Sequence, residues 1–216
     1  MKNVEELLRL PSPAPRPQAL AFDGESLWFS SRETRRLYAL DPKRWTLRDE
    51  VSEAPGMAWG MTSVGDEFRV VSGETEEDHR IIRRFIPGHG FPSHYGIPCP
   101  QDTGSHLAFD GDRLYLSQWY NKKILSLDER GQVGTVIDVP HQICGMVIVD
   151  GCFYLNTTDD ENTDDYWLTR VDARNGEPKI EDVARIGFQA RALAFDGERF
   201  WTNHREQHEI VAFARP

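Results

Sequence analysis

Ala19-Leu20-Ala21-Phe22-Asp23-Gly24-Glu25 returns as His106-Leu107-Ala108-Phe109-Asp110-Gly111-Asp112 and again as Ala192-Leu193-Ala194-Phe195-Asp196-Gly197-Glu198. Two looser copies fall between them, Gly60-Met61-Thr62-Ser63-Val64-Gly65-Asp66 and Gly145-Met146-Val147-Ile148-Val149-Asp150-Gly151. The copies begin at 19, 60, 106, 145 and 192, which gives spacings of 41, 46, 39 and 47 residues. That is the period of propeller blades, about 40 to 50 residues for four strands. Within each unit apolar residues alternate with period two, as in Leu27-Trp28-Phe29-Ser30 and Leu37-Tyr38-Ala39-Leu40, the pattern of half-buried antiparallel strands. The Asp-Gly or Gly-Asp pair after each first strand supplies the positive φ of a two-residue hairpin turn, so every blade is expected to open with a tight hairpin.

The fifth repeat runs through three strands only, ending with Glu209-Ile210-Val211-Ala212-Phe213. Residues 3–11 precede the first repeat as Thr46–Val51 precede the second and Val133–Asp138 the fourth. They are expected to complete the last blade, because closure across the termini removes an exposed strand edge. The expectation is one all-β domain over residues 1–216, a five-bladed β-propeller with four antiparallel strands per blade. A short helix over residues 4–9 is the competing reading of the amino terminus.

Composition narrows the function. The chain has 216 residues with Lys+Arg 25 against Asp+Glu 35, a net charge of −10 and a pI near 5.2. Such a field repels phosphate backbones and anionic lipid, so neither nucleic acid nor a membrane is an expected partner. Mean hydropathy is −0.56, and no apolar run approaches the roughly 20 residues of a membrane span. The acidic, non-apolar start Met1–Arg9 does not read as a secretory signal, which makes the cytoplasm the expected compartment. Three cysteines, Cys99, Cys144 and Cys152, form no disulfide framework and no C-x-x-C pair.

In a propeller the first strands line a central channel, and one rim receives the fourth-to-first connections and the second-to-third loops. Alignment on the shared leucine places Gln18, Trp59, Ser105, Cys144 and Arg191 at one level near the mouth, with Gln142 and Gln189 in a ring above. One cation, large apolar groups, a thiol and neutral hydrogen-bonders describe a small-molecule pocket. His106 stands one step deeper, at a level otherwise held by Ala19, Gly60, Gly145 and Ala192. It reads either as an acid or base or as a structural histidine bonded to backbone. Arg191 in a channel needs an anionic ligand or a protein acid such as Glu74. His141 near Cys144 permits a thiol activated by imidazole.

The second-to-third loops align as Ser30-Ser31-Arg32-Glu33, Ser117-Gln118-Trp119-Tyr120 and Asn203-His204-Arg205-Glu206. The invariant Ser or Asn reads as scaffold that bonds backbone. Arg32, Trp119, Tyr120 and His204 occupy the varied positions where a ligand would be read. Asp160, Asn162 and Asp164 have the alternate spacing of a calcium loop, but Asp165 and Val171 stand where that loop needs glycine and glutamate, so a solvated loop is the alternative. No zinc spacing, phosphate-cradling glycine loop or Gly-x-Ser-x-Gly elbow is present.

The phrase Leu20-Ala21-Phe22-Asp23-Gly24-Glu25-Ser26-Leu27-Trp28, followed by Leu37-Tyr38-Ala39-Leu40-Asp41-Pro42, resembles the repeats of glutamine cyclotransferase-like and related small β-propellers, over all five units. The resemblance implies a five-bladed fold. In the plant-type glutaminyl cyclases of that group the first strand reads Phe-Thr-Gln-Gly-Leu, to which Arg16-Pro17-Gln18-Ala19-Leu20 is partly similar. There a Tyr-Glu-Ser-Thr stretch carries the proton-transfer acid, whereas this chain has Trp28-Phe29-Ser30-Ser31, so the resemblance carries fold and not reaction.

The leading expectation is a propeller that binds a small anionic or aromatic molecule in its central channel. The channel is open to acid–base chemistry of lyase, isomerase or hydrolase type by His106 or His141, with Arg191 steadying negative charge and no redox cofactor. The alternatives are a protein or glycan scaffold using the loops, and a calcium-dependent hydrolase, calcium being the one cofactor the sequence points to.

Overall fold

The computed structural model describes residues 1–74, 79–174 and 176–216, with the side chains of residues 49 and 50 left out. Twenty strands form five antiparallel sheets of four. The amino-terminal strand β1 (Glu6–Pro11) is followed by blade one, β2 (Pro17–Phe22), β3 (Leu27–Ser31), β4 (Arg36–Asp41) and β5 (Thr46–Glu53). Blade two is β6 (Met57–Val64), β7 (Glu67–Gly73), β8 (Ile81–Phe85) and the short β9 (Gly96–Pro98). Blade three is β10 (Leu107–Phe109), β11 (Leu114–Gln118), β12 (Lys123–Leu127) and β13 (Val133–Asp138). Blade four is β14 (Gln142–Val149), β15 (Cys152–Thr158), β16 (Tyr166–Asp172) and β17 (Lys179–Ile186). Blade five is β18 (Ala190–Phe195), β19 (Arg199–His204) and β20 (Glu209–Ala214), completed by β1.

β1 pairs antiparallel with β20, Leu8 opposite Ala212 and Leu10 opposite Ile210, so the ring closes across the termini and the helical reading of residues 4–9 falls. The chain ahead of β1 also reaches blade four, where the Val4 N–H donates to the Arg185 carbonyl at 2.8 Å. No helix among the described residues is long and apolar enough to cross a membrane.

Burial runs from the axis outward. β2 is buried along almost its whole length, while β13 exposes five of its six residues, because an inner strand is covered by its neighbours and an outer strand on one face only. Aromatic rings fill the wedges between sheets: Trp28 of blade one packs on Phe68 and Phe85 of blade two at 5.1 and 5.4 Å. The three cysteines are buried and free.

The hairpins differ from expectation in three blades. Val64 pairs with Glu67, and Val149 with Cys152, so blades two and four do open with two-residue turns. In blades one, three and five the flanking pairs are Phe22 with Leu27, Phe109 with Leu114 and Phe195 with Phe200, which leaves longer Asp-Gly loops. The aspartate organises each of them. Asp196 Oδ1 accepts the backbone N–H groups of Glu198 and Arg199, and Oδ2 accepts the Trp201 indole N–H at 2.8 Å. Asp23 does the same for Glu25, Ser26 and Trp28, and Asp110 for Asp112, Arg113 and the Tyr115 hydroxyl. Hydrogen bonds to a charged group contribute about 1.5–3 kcal/mol, enough for the carboxylate to select a wider loop over the two-residue turn.

In blades one, four and five the repeated Ser or Asn at the end of the second strand bonds the next blade, whereas Ser72 and Ser117 bond within their own blades. Ser30 Oγ accepts the Ala19 N–H and donates to the Ala58 carbonyl, each at 2.9 Å. Asn156 Nδ2 donates to the Ala192 carbonyl at 2.6 Å, and Asn203 Nδ2 to that of Gln18 at 3.0 Å. Each polar group satisfies a first-strand carbonyl of the next blade that the sheet's own ladder leaves open.

Candidate functional site

Where the second-to-third loops meet the starts of the first strands, the channel opens into a cavity of about 770 Å³. Below it the bore narrows to about 160 Å³ between apolar residues that include Leu20, Met61, Leu107, Met146 and Leu193.

Arg191 reaches the cavity from a bulge. The register of β18 against β19 shifts between Arg191 and Ala194, Ala192 takes φ +55°, and Thr202 Oγ1 bonds the carbonyls of both Arg191 and Ala192. A non-glycine residue in that region is strained unless its surroundings fix it, and here the hydroxyl does so. Arg191 is only 4% exposed. Its Nη2 donates to Glu161 Oε2 at 3.1 Å, and its guanidinium lies over the Trp119 ring at 4.7 Å and Tyr166 at 5.9 Å. The protein carboxylate is therefore Glu161, from the β15–β16 loop, and not Glu74, which lies outside the cavity wall.

Opposite, Trp59 carries two guanidiniums, Arg80 at 3.9 Å and Arg32 at 5.1 Å from its ring. Arg205 completes the set: its Nε bonds Glu206 Oε1 at 2.8 Å and its Nη1 donates to Gln18 Oε1 at 2.9 Å. Arg16 reaches the same Glu206. Burial, then repulsion from Arg205 and Arg16, lowers Arg32 to about 10, and burial followed by Arg191 lowers Arg205. Like charges crowd together here in a chain of net charge −10. The indole N–H groups of Trp59 and Trp119 are buried without an acceptor among the described residues.

His106 lies in the same wall, 5% exposed. Ser117 Oγ accepts its backbone N–H, while among the described residues its ring nitrogens form no hydrogen bond. Gly60 makes room for it: a Cβ there would sit 2.3 Å from the Ser105 carbonyl oxygen and 3.0 Å from His106 Nδ1. Burial, and after it the Arg191 charge, pushes the imidazole down to about 3. The group is a neutral donor and acceptor at ordinary pH. Below its unfolded value of about 6.5 the unfolded chain takes a proton that the folded chain refuses, so this contribution to stability is full above that pH and is lost as pH falls. His106→Gln should show a shallower loss of Tm between about pH 6.5 and about pH 4.5 than the natural chain. Equal slopes would place the ring in a solvated setting.

Other residues read from the sequence divide between wall and scaffold. Gln189, Tyr120, Ser105 and Asn162 line the cavity, and Ser105 Oγ accepts the Trp119 N–H at 3.2 Å. Cys144 packs instead among Tyr166, Phe188 and Ala190, and burial raises its thiol to about 12. His141 sits away from it, Nδ1 2.9 Å from Asp159 and Nε2 3.4 Å from Asp182, its ring stacked on Trp167. The thiol–imidazole pair is thus not assembled. Gln142 and His204 stand outside the wall, His204 against Phe188 at 5.4 Å. Asp160 Oδ1 accepts the backbone and side-chain N–H groups of Asn162, and Asp165 pairs with Arg185. Among the described residues no three His, Cys, Asp or Glu side chains gather to hold a metal.

Sequence reading missed Arg80, Asp102, Glu161, Arg205 and Glu206. Arg205 and Glu206 directly follow His204 in an aligned loop and were within reach of it. A larger cleft, about 820 Å³, opens between blades two and three around Tyr95 and Asp128, where Arg69 is already paired with Glu67.

No family model and no curated protein matches the sequence. In structure the chain is similar to Myxococcus xanthus glutaminyl cyclase, with a TM-score of 0.72 at 12% identity and 100% of each chain covered. It is also similar to the PQQ-bound aldose sugar dehydrogenase of Streptomyces coelicolor, TM-score 0.61 at 14% identity over 98% of each chain. Regucalcin of Agrobacterium tumefaciens, described as a calcium-binding protein, gives 0.61 at 12% identity, covering 99% of this chain and 95% of that one. At such identities what is shared is architecture: the chain has the five-bladed β-propeller fold of glutaminyl cyclase.

Proposed function

We propose that the chain binds a small oxyanion-bearing molecule, a carboxylate or phosphate, at the mouth of its central channel, in a cytoplasmic setting. The observation that carries this is the buried Arg191 in one cavity with Arg32, Arg80 and Arg205. Guanidiniums kept this close repel one another, and a bound anion relieves that repulsion while using their planar donor forks. The indole N–H groups of Trp59 and Trp119, without an acceptor among the described residues, add donors and no acceptors. The ring faces of both tryptophans already carry guanidiniums, so the site favours an acceptor-rich ligand over an aromatic one.

Acid–base catalysis belongs to the same reading. An anion seated beside Arg191 offsets the charge that disfavours imidazolium, so His106 gains proton affinity when the ligand is bound. Two of the similar structures are enzymes by description, glutaminyl cyclase and aldose sugar dehydrogenase, which supports chemistry on this fold without specifying it. The scaffold reading has one observation behind it, Tyr120 at 75% exposure on the rim.

Binding of inorganic phosphate and succinate, followed by calorimetry at low ionic strength, tests the proposal. Arg191→Met should weaken binding at least about tenfold, since losing one partner of a buried charge pair costs about 2–5 kcal/mol. Affinity unchanged by that substitution, or no binding of either probe by the natural chain, overturns it.

A further inference from the structure

Arg191 and its carboxylate are held very differently. The guanidinium is fixed by the bulge that Thr202 pins and by the rings of Trp119 and Tyr166. Glu161 is 42% exposed at its side chain and touches Arg191 through one oxygen. Its loop does not depend on that contact. Thr158 Oγ1 donates to the Asp165 carbonyl at 2.8 Å, Thr163 Oγ1 to that of Asp160 at 2.9 Å, and the Tyr166 hydroxyl to that of Glu161 at 3.2 Å. The backbone of residues 158–166 is therefore tied by groups that exclude the Glu161 side chain, which is free to swing to solvent without unfolding the loop.

Resting on the oxyanion reading above, we infer that Glu161 occupies the ligand's seat on Arg191: an incoming carboxylate or phosphate displaces the Glu161 carboxylate, which acts as a built-in competitor. The arrangement solves a problem of the empty state. A buried cation with no partner is strongly destabilising, so the fold supplies an internal anion, and a half-exposed one is cheap to displace. Affinity is then set by the difference between two anions on one guanidinium, and the ligand class that wins offers more than one oxygen to the surrounding donors.

The test compares Glu161→Gln with Asp164→Asn, which removes the same charge three residues away on the same loop. Phosphate and succinate are titrated into the natural chain, both variants and Arg191→Met by calorimetry, with Tm recorded for each. In about 0.15 M salt, Glu161→Gln is expected to bind at least about tenfold more tightly than the natural chain, while Asp164→Asn changes affinity less than about twofold because exposed charges are screened there. Glu161→Gln is also expected to melt lower in buffer and to gain more Tm from either probe. If the natural chain binds, Arg191→Met loses binding and Glu161→Gln gains nothing, the competitor role fails and the oxyanion site stands. An equal gain for both acidic variants reduces the effect to general charge and also overturns the role. If the natural chain binds neither probe, both readings fall.

Discussion

Deleting residues 1–11 is expected to lower Tm by more than about 10 °C and to make the chain aggregate. The strand β1 covers the outer edge of β20 through five residue pairs, from Glu6 opposite Phe213 across a bulge before Leu8 to Pro11 opposite Glu209. Without it a six-residue apolar edge, Glu209–Ala214, presents unpaired N–H and C=O groups to other copies. Ion pairing is lost as well, since Arg9 bonds Glu209 at 2.6 Å and lies over Phe188 at 4.6 Å. The loss exceeds that of an ordinary point substitution because closure ties the last blade to the first, and an open ring lets both fray. Size-exclusion chromatography and thermal melts read the result, and a synthetic peptide of residues 1–13 added in trans should restore part of the Tm. A truncated chain that elutes without aggregates and keeps its Tm would show that the ring closes without its clasp.

Gly145→Ala should destabilise the fold by about 3 kcal/mol, at the high end for overpacking. A Cβ there would stand 2.3 Å from the Ala192 carbonyl carbon, 2.6 Å from its oxygen and 2.7 Å from the Leu193 nitrogen. These are backbone atoms of the adjoining inner strand, so no flexible side chain can yield. The same Ala192 carbonyl accepts Asn156 Nδ2, and any shift of the backbone costs that bond and disturbs the bulge that presents Arg191. For a chain of this size the expected fall in Tm is about 6–12 °C. Gly187→Ala is the control, since nothing lies within 4 Å of its Cβ position, and it should shift stability by less than about 0.5 kcal/mol. If Gly145→Ala melts with that control, the inner strands are less tightly nested than their spacing implies.

The recurring Leu-Ala-Phe-Asp-Gly phrase carried the architecture in advance because its elements are local. Period-two alternation, an aspartate that captures the amides two and three residues on, and glycine at positive φ all act within a few residues. Closure by residues 3–11 was legible for the same reason, as a missing fourth strand matched by a spare one. Alignment on the shared leucine also brought Gln18, Trp59, Ser105, His106 and Arg191 to one cavity, since equal steps along inner strands reach equal depth. It failed for Cys144, whose short side chain at the same level stays in the packing between blades.

Sequence alone thus determined the number of blades, the closure and most of the first-strand residues that share the mouth. Only the tertiary structure decided what those residues face. Glu161 and Arg80 come from connections of unequal length that no repeat aligns, and they meet Arg191 and Trp59 at the mouth of the channel, whose wall Asp102 joins. The Asp-Gly loops likewise widened because Asp23 and Asp196 had an indole N–H within reach five residues on, on the paired strand. Charge and depth along a strand are properties of a residue and its neighbours in sequence. The proton affinity of His106 and the partner of Arg191 are properties of distance in space, set when five blades converge on one axis.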